Sequence, residues 1–251
     1  MSKRSAARQE AITRLLFEEG TVKVASLSKA FEVSEETIRQ DLSRLESLGV
    51  CSRTHGGASL LSNTQVSTDI KATEHAKEKS LIAKEAVTHI TNGTTVWIGP
   101  GSTLTSMARY LPLRKDLTII TNNLDFALAA KNSRHDIILI GGRMQKKGGC
   151  TAGGFALDNL THIRIDTAFI GCDGFTSHGE PTTFSFEEMT IKQFIITHAE
   201  KKILLCDGSK FTHTGSYSFA SPEAFDQCIT SEVPTEAQPL LSLIRDVIIV
   251  R

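Results

Sequence analysis

Residues 33–42 read VSEETIRQDL, and this stretch decides the fold of the first part of the chain. Ser34 is suited to cap a helix, and two glutamates follow it in the first turn, where the helix dipole favours carboxylates. Gly49 is the stop signal. The apolar residues expected to face a core recur at i, i+4 and i+7, namely Ile38, Leu42 and Leu45.

Two further helices are predicted before this one, over 6–19 and 25–31, with a short β-branched stretch between them. A short helix, a tight turn and a second helix are typical of a helix-turn-helix. Residues 50–53 predict a strand that follows, and RTHGG at 53–57 predicts a wing, which can lay a cation along the phosphate backbone of DNA.

The polar face of the helix after Ser34 carries Arg39, Gln40 and Arg44. Arginine can bind the O6 and N7 of guanine, and glutamine can pair with the N6 and N7 of adenine. The alternative is a charged face that is merely solvated, which is the usual state of an isolated helix. The predicted DNA-binding residues are Ser34, Thr37, Arg39, Gln40, Arg44, Arg53, His55 and Gly56.

The second part of the chain alternates helical segments with short apolar runs that end in Gly, Ser, Thr, Asn or Asp. Such runs predict a parallel sheet covered on both faces, and ligands bind beyond the carboxyl ends of its strands. The fold class is therefore α/β. The strands are predicted at 94–98, 117–120, 137–140, 167–170, 203–206 and 247–250.

Charge and cysteine content limit the possible functions. Lys+Arg 28 equals Asp+Glu 28, so any nucleic-acid site must be local. The five cysteines and eight histidines show no metal-ligand spacing, and neither a metal nor a cofactor is expected. Apolar runs are far shorter than the roughly 20 residues a membrane span needs, so we expect a cytoplasmic protein without a membrane partner.

The first domain closely resembles the N-terminal domain of the DeoR family of bacterial transcription regulators. The resemblance is carried by 33–42, by Leu45, Glu46 and Gly49, and by RTHGGA at 53–58. It implies a winged helix-turn-helix. Residues 1–58 are therefore expected to form the DNA-binding domain and 59–76, rich in Ser, Thr and Asn, to form a linker.

Residues 77–251 resemble the effector domain of the same family, which is Rossmann-like and similar to ribose-5-phosphate isomerase. The resemblance implies a sugar-phosphate sensor and a repressor of a carbohydrate-metabolism operon that is released by a phosphorylated sugar or polyol. The residues it assigns to the effector site are Gly101, Ser102, Thr103, Thr121, Asn122, Gly141, Gly142, Asp173, Glu188, Lys192, Asp207, Ser209 and Lys210.

The chemistry of these residue types also suits a sugar phosphate, independently of the family resemblance. Glycine-loop N–H groups, hydroxyls and Lys210 can hold phosphate, while carboxylates and Asn122 can take sugar hydroxyls. The rival prediction is an isomerase, in which Glu188, Asp173 and Lys210 would be acid, base and anchor. The N-terminal domain argues against any enzyme. A third alternative is a sugar-phosphate binding module with a protein partner.

One position departs from the family. Its members commonly carry an acidic residue two places before the glycine of the Gly-Ser-Thr loop, where this chain has Gly99. The effector is therefore expected to differ from the usual ones. Because one winged domain offers a small contact area, a homo-oligomer, dimer or tetramer, is expected on double-stranded operator DNA.

Overall fold

The computed structural model describes residues 3–47, 50–60 and 75–251. The chain divides into two compact units, residues 1–74 and residues 75–251. Most of the segment expected to be a linker, residues 61–74, lies outside the described residues, as do residues 48 and 49. Ser59 and Leu60, also assigned to the linker, belong to a strand, and Ala76 begins a helix.

The first unit contains three helices and a small antiparallel sheet in the order β1-β3-β2. The polar residues between β2 and β3 form the turn of the wing. The two strands pair antiparallel, with Arg53 opposite Ala58 and Thr54 opposite Gly57. The elements are α1 (Lys3–Glu19), β1 (Thr21–Lys23), α2 (Val24–Phe31), α3 (Glu35–Ser47), β2 (Cys51–Thr54) and β3 (Gly57–Leu60).

The predicted apolar stripe of α3 is confirmed. Ile38, Leu42 and Leu45 are at most 2% exposed and pack against Ile12 and Leu16 of α1 in the core of this unit. Burial of three large aliphatic side chains orients the helix, because it fixes which face turns towards solvent. The helix-turn-helix with its wing is therefore present in the fold.

The second unit is built on a parallel sheet of seven described strands, in the order β15-β14-β12-β9-β4-β5-β6. Its strands are β4 (Thr95–Ile98), β5 (Thr118–Thr121), β6 (Asp136–Leu139), β9 (Ile165–Gly171), β12 (Ala199–Cys206), β14 (Gln227–Thr230) and β15 (Val247–Ile249). Six of them were predicted from their apolar runs, and β14 was missed.

Helices cover both faces of this sheet. One face packs with Trp97, Ile170 and Leu204 against the helices Gly154–Leu160 and Phe186–His198, and the other packs with Ile98 and Phe169 against the helices Ala76–Thr88, Ser102–Thr105 and Leu124–Ala129. This is the α/β arrangement expected from the sequence. The helices are α4 (Ala76–Thr88), α5 (Ser102–Thr105), α6 (Leu124–Ala129), α7 (Gly154–Leu160), α8 (Phe186–His198) and α9 (Gln238–Leu241), with a 3₁₀ helix at Ser106–Leu113 and another at Gly208–Thr212.

Short antiparallel strands surround the carboxyl end of the sheet. None of them was predicted, because two- and three-residue strands carry no clear alternation. They are β7 (Arg143–Gln145), β8 (Cys150–Ala152), β10 (Gly174–Phe175), β11 (Pro181–Thr183) and β13 (Tyr217–Ser218).

Candidate functional site

The solvent face of α3 presents the side chains predicted to contact DNA. Arg39, Gln40 and Arg44 are exposed. Arg39 Nη2 lies 2.6 Å from Glu35 Oε2, and its Nη1 lies 3.8 Å from Glu36 Oε2. The guanidinium is therefore held within its own helix in the free protein, by pairs that water screens.

Ser34 and Thr37 form the start of α3. The backbone N–H of Thr37 donates to Ser34 Oγ at 3.2 Å, and the two hydroxyl oxygens are 2.8 Å apart. The predicted N-cap is thus present. Both hydroxyls are engaged locally, at the end of the helix where an anion such as a phosphate is favoured.

The wing is tied to α3 by Arg53. Its guanidinium donates to Ser43 Oγ and lies 3.4 Å from Glu46 Oε2. His55 and Gly56 are exposed in the turn between β2 and β3. These contacts bring the predicted cation of the wing to the same side of the unit as the polar residues of α3.

Asp41 is the one polar residue of α3 that faces inward. It is 3% exposed, and its carboxylate accepts from Arg8 Nε at 2.5 Å and from Gln9 Nε2 at 2.6 Å. A buried, doubly hydrogen-bonded carboxylate anchors α3 to α1. The hydrophobic pattern of α3 gives no sign of this inward-facing carboxylate.

In the second unit, the strand order reverses between β4 and β9. The chain proceeds from β4 outward to β5 and β6, and then returns to β9 on the other side of β4. In open parallel sheets the carboxyl ends of the strands at such a point form a ligand crevice. A narrow cleft lies there and is lined by Trp97, Gly99, Pro100, Asn122, Ile170, Gly171, Glu188, Ile191 and Lys192.

A buried ion pair forms one side of this cleft. Glu188 and Lys192 of α8 are 4% and 6% exposed, and Lys192 Nζ lies 3.6 Å from Glu188 Oε2. The hydroxyl of Thr183 lies 3.1 Å from Asp173 Oδ2 and 3.3 Å from Glu188 Oε2. Burial, followed by the Glu188 charge, raises the pKa of the neighbouring Cys150 thiol. Two predicted effector residues, Asp173 and Glu188, therefore share one hydroxyl, and a third, Lys192, pairs with Glu188.

A second polar group lies at the carboxyl end of β12. Asp207 is fully buried, accepts from the Ser209 N–H at 3.1 Å, and lies with Oδ2 3.9 Å from Lys79 Nζ. Burial acts to raise the pKa of Asp207, but the ammonium groups of Lys210 and Lys79 and the Ser209 hydrogen bond lower it overall. The carboxylate is thus kept ionised next to two cations.

Lys79 was missed by the sequence reasoning. It is 2% exposed on α4 and meets Asp207 only in the folded chain. A lysine buried in a helix beside the linker is a signal that could have marked it. Among the described residues, His75, Glu78 and Asp207 have ligand atoms within 4.8 Å of one another, but the Lys79 ammonium already faces the Asp207 carboxylate and disfavours a metal cation there.

Of the remaining predicted effector residues, some lie near the cleft and others are not part of its lining. Gly101 precedes the short helix α5, which starts with Ser102 and Thr103 and packs against β9 and β12. The Thr121 hydroxyl donates to Ile98 O at 2.6 Å and is used within the sheet. Gly141 and Gly142 follow the edge strand β6 and are not part of the cleft lining.

Two family models cover most of the chain. The DeoR-like helix-turn-helix domain matches residues 8–64, and the DeoR C terminal sensor domain matches residues 74–232. The chain belongs to the DeoR family. It is therefore a transcriptional regulator with a DNA-binding domain and a sensor domain.

Curated members of the DeoR family align along nearly their whole length. The lactose phosphotransferase system repressor of Lactococcus lactis subsp. lactis is 37% identical over 210 residues, covering 81% of this chain and 82% of the relative. The glycerol-3-phosphate regulon repressor of Escherichia coli (strain K12) is 34% identical over 232 residues, covering 90% and 91%. The regulator GolR of Listeria innocua is 32% identical over 226 residues, covering 89% of each chain.

Among solved structures, a D-ribose-5-phosphate isomerase in complex with phospho-erythronic acid matches with a TM-score of 0.41 and 20% identity over 54% of each chain. A likeness at this level carries no argument about function. The named DeoR relatives are repressors and regulators, so the isomerase alternative has no support among them. Within the described residues, no helix is both long and apolar enough to span a membrane.

Proposed function

We propose that this DeoR-family chain represses a carbohydrate-related operon and is released from its operator by a phosphorylated sugar or polyol. The first unit, with residues 1–58, binds the operator, and the second unit, with residues 77–251, binds the effector. The names of two relatives, which refer to a lactose phosphotransferase system and a glycerol-3-phosphate regulon, support this class of effector. The proposal places the protein with its operator DNA in the cytoplasm.

The observation that carries the proposal is the exposed polar face of α3, with Arg39, Gln40 and Arg44 on a helix whose other side is buried. Arg53, held by Ser43 and Glu46, supplies a further cation for the DNA backbone. Ser34, Thr37, His55 and Gly56 complete the contact surface, with hydroxyl and backbone donors suited to phosphates.

The effector-binding part of the proposal concerns the carboxyl ends of the central strands. Lys210, Lys79 and Ser209 surround Asp207 with donors, and two of these are ammonium groups that can bind a phosphate. Asn122, Glu188 and Lys192 line the cleft, where they can hydrogen-bond sugar hydroxyls. Ser102 and Thr103 begin the short helix α5 that follows β4.

Regulation requires that the effector bind the two states of the protein unequally. A ligand with the same affinity for the DNA-bound and free conformations would release nothing. The coupling is reciprocal, so operator DNA must weaken effector binding by the same factor that the effector weakens operator binding. Measuring the effector Kd with and without operator tests this equality.

A thermal-shift screen tests the effector class. The panel is glycerol 3-phosphate, fructose 6-phosphate, glucitol 6-phosphate and ribose 5-phosphate, each with its unphosphorylated parent, and inorganic phosphate is the baseline. A ligand that binds only the native state raises its stability by RT ln(1 + [L]/Kd). Stabilisation by a phosphorylated compound and not by its parent is expected, and no shift with any of the four would refute this effector class.

We further propose that the repressor binds DNA as a homo-oligomer, a dimer or a tetramer. Two winged domains related by a two-fold axis can contact two half-sites of a palindromic operator, which doubles a contact area that is small for one domain. Light scattering coupled to gel filtration gives the mass directly. A monomer that binds a single half-site as tightly as the full operator would contradict this part of the proposal.

A further inference from the structure

Two polar groups in the cleft at the end of β4 hydrogen-bond to no other described residue. One is Oδ1 of Asn122, and the other is the indole N–H of Trp97, which donates to no residue that the structure describes. The amide nitrogen of Asn122 donates to Thr151 O at 2.7 Å, which fixes its oxygen as the free atom. The Trp97 residue is 2% and the Asn122 residue 1% exposed, Asn122 Oδ1 is buried, and both residues line the same cleft.

Gly99 determines whether the indole N–H is accessible. A Cβ at position 99 would lie 3.3 Å from Trp97 Nε1 and 3.3 Å from the backbone oxygen of Phe169. Both contacts are tighter than ordinary packing. A carboxylate on a side chain at this position would also be close enough to accept the indole proton. Glycine therefore leaves the donor of Trp97 free for a ligand.

The chemistry of the two free groups identifies what they bind. A donor-only indole and an acceptor-only amide oxygen are satisfied together by a hydroxyl, which accepts one hydrogen bond and donates another. A carbonyl or phosphate oxygen can only accept, and it would leave Asn122 Oδ1 unpaired. Glu188 and Lys192 carry opposite charges 3.6 Å apart in the same cleft, so the local charge favours a neutral group.

We propose that Trp97 and Asn122 bind one hydroxyl of the effector, which accepts from Trp97 Nε1 and donates to Asn122 Oδ1. This inference rests on the proposed function, in which the effector is a phosphorylated sugar or polyol. It makes Trp97 a specificity-determining residue. Compounds with a hydroxyl at this point of the cleft are favoured over those with an oxo group or a charge, because the latter leave one buried group unpaired.

The chain contains a single tryptophan, so its indole N–H gives one ¹⁵N–¹H resonance. The full-length protein is titrated with each of glycerol 3-phosphate, fructose 6-phosphate, glucitol 6-phosphate and ribose 5-phosphate, and with inorganic phosphate. We expect the indole resonance to shift with the compound that stabilises the protein and to stay fixed with inorganic phosphate. An indole resonance that stays fixed at saturation with a stabilising compound overturns the hydroxyl subsite alone.

Variants give a second readout. Trp97→Phe keeps an aromatic ring without the donor and is expected to weaken the stabilising compound about tenfold, the loss of one buried hydrogen bond. Gly99→Asp and Gly99→Ala both place a Cβ against Trp97 Nε1, but only the aspartate adds a carboxylate that can accept a hydrogen bond from the indole N–H. Weaker effector binding by Gly99→Asp than by Gly99→Ala is therefore expected, and equal binding by the two would contradict the proposal.

Failure of the effector class and failure of the hydroxyl subsite give different results. If none of the four phosphorylated compounds stabilises the protein, the proposed effector class is wrong and the hydroxyl subsite is overturned with it. If one of them stabilises the protein, and Trp97→Phe binds it as tightly as the wild type, the effector class stands and the role of Trp97 is refuted.

Discussion

Replacing Glu35 by glutamine is expected to strengthen operator binding. In the free protein Arg39 Nη2 lies 2.6 Å from Glu35 Oε2 in an i,i+4 pair. An arginine that contacts a base must first leave this partner. The ion pair of the free state therefore reduces the free energy of DNA binding, and removing the carboxylate recovers that loss.

The size of the expected gain in operator affinity follows from the solvent exposure of the Arg39–Glu35 ion pair. The Arg39 and Glu35 side chains are 52% and 48% exposed, so solvent screens the interaction. Exposed i,i+4 pairs contribute about 0.3–0.5 kcal/mol, which corresponds to roughly a twofold change in affinity. Removing a negative charge near the DNA phosphates adds a gain that falls with salt.

Glu36→Gln is the matched control. It removes the same charge from the same first turn of α3. Glu36 Oε2, however, is 3.8 Å from Arg39 Nη1, so its interaction with the guanidinium is weaker. Fluorescence anisotropy with a labelled operator, obtained by in vitro selection, measures both variants at several salt concentrations. We expect Glu35→Gln to bind up to about twofold more tightly than Glu36→Gln at low salt, with a difference that shrinks as salt screens the pair. Equal affinities, or weaker binding by Glu35→Gln, would refute the reasoning.

Further predictions concern the wing, the effector site and the thiols. Gly57→Ala is expected to disrupt the wing, because a Cβ there would lie 1.9 Å from the backbone oxygen of Val22. Operator binding should be lost, while thermal stabilisation by the effector persists. Retained operator affinity would contradict this prediction. Lys210→Ala is expected to bind the operator and fail to release it with the effector, and a normal release in the anisotropy assay would remove Lys210 from the site. The pKa of Asp207 is lowered in the folded protein, so its charge stabilises the fold above the unfolded pKa of about 3.9, and this stabilisation is lost as the pH falls through the folded pKa. In urea unfolding, the loss of stability caused by Asp207→Asn should therefore shrink below about pH 4. A loss of stability that grows there would be evidence against the ion pair. Burial raises the pKa of Cys51 to about 11, so labelling of this thiol by a disulfide reagent at pH 8 should be slow in the native protein and fast in urea, whereas fast native labelling would contradict its burial.

The sequence predicts those parts of the fold whose hydrophobic pattern is strong. The stripe of α3 predicted both its existence and its buried face, and six β-branched runs predicted six strands of the central sheet. β14 was missed because only Cys228 and Ile229 are apolar between Gln227 and Thr230. The packing of Asp41 against Arg8 and Gln9 was missed because a carboxylate on a helix is usually solvated, and only tertiary contact shows otherwise.

The candidate site was predicted in part. Asn122, Glu188 and Lys192 line the cleft, but the pattern could not show that the Thr121 hydroxyl is used by Ile98 O within the sheet. Two residues of the candidate site, Lys79 and Trp97, could not be predicted from the sequence, because their roles depend on tertiary packing. Lys79 acquires its role only when α4 packs beside β12, and Trp97 lies in an apolar strand, where its side chain is part of the core and the residue also lines the cleft.

The central claim is that one ligand class controls operator binding. The most direct measurement is the anisotropy of a labelled operator bound to the full-length protein, recorded while each phosphorylated compound of the panel and its unphosphorylated parent are added. The account predicts that at least one phosphorylated compound lowers the anisotropy to that of free DNA and that its parent does not. An operator complex that no phosphorylated compound dissociates, or that parent and phosphate dissociate equally, would contradict it.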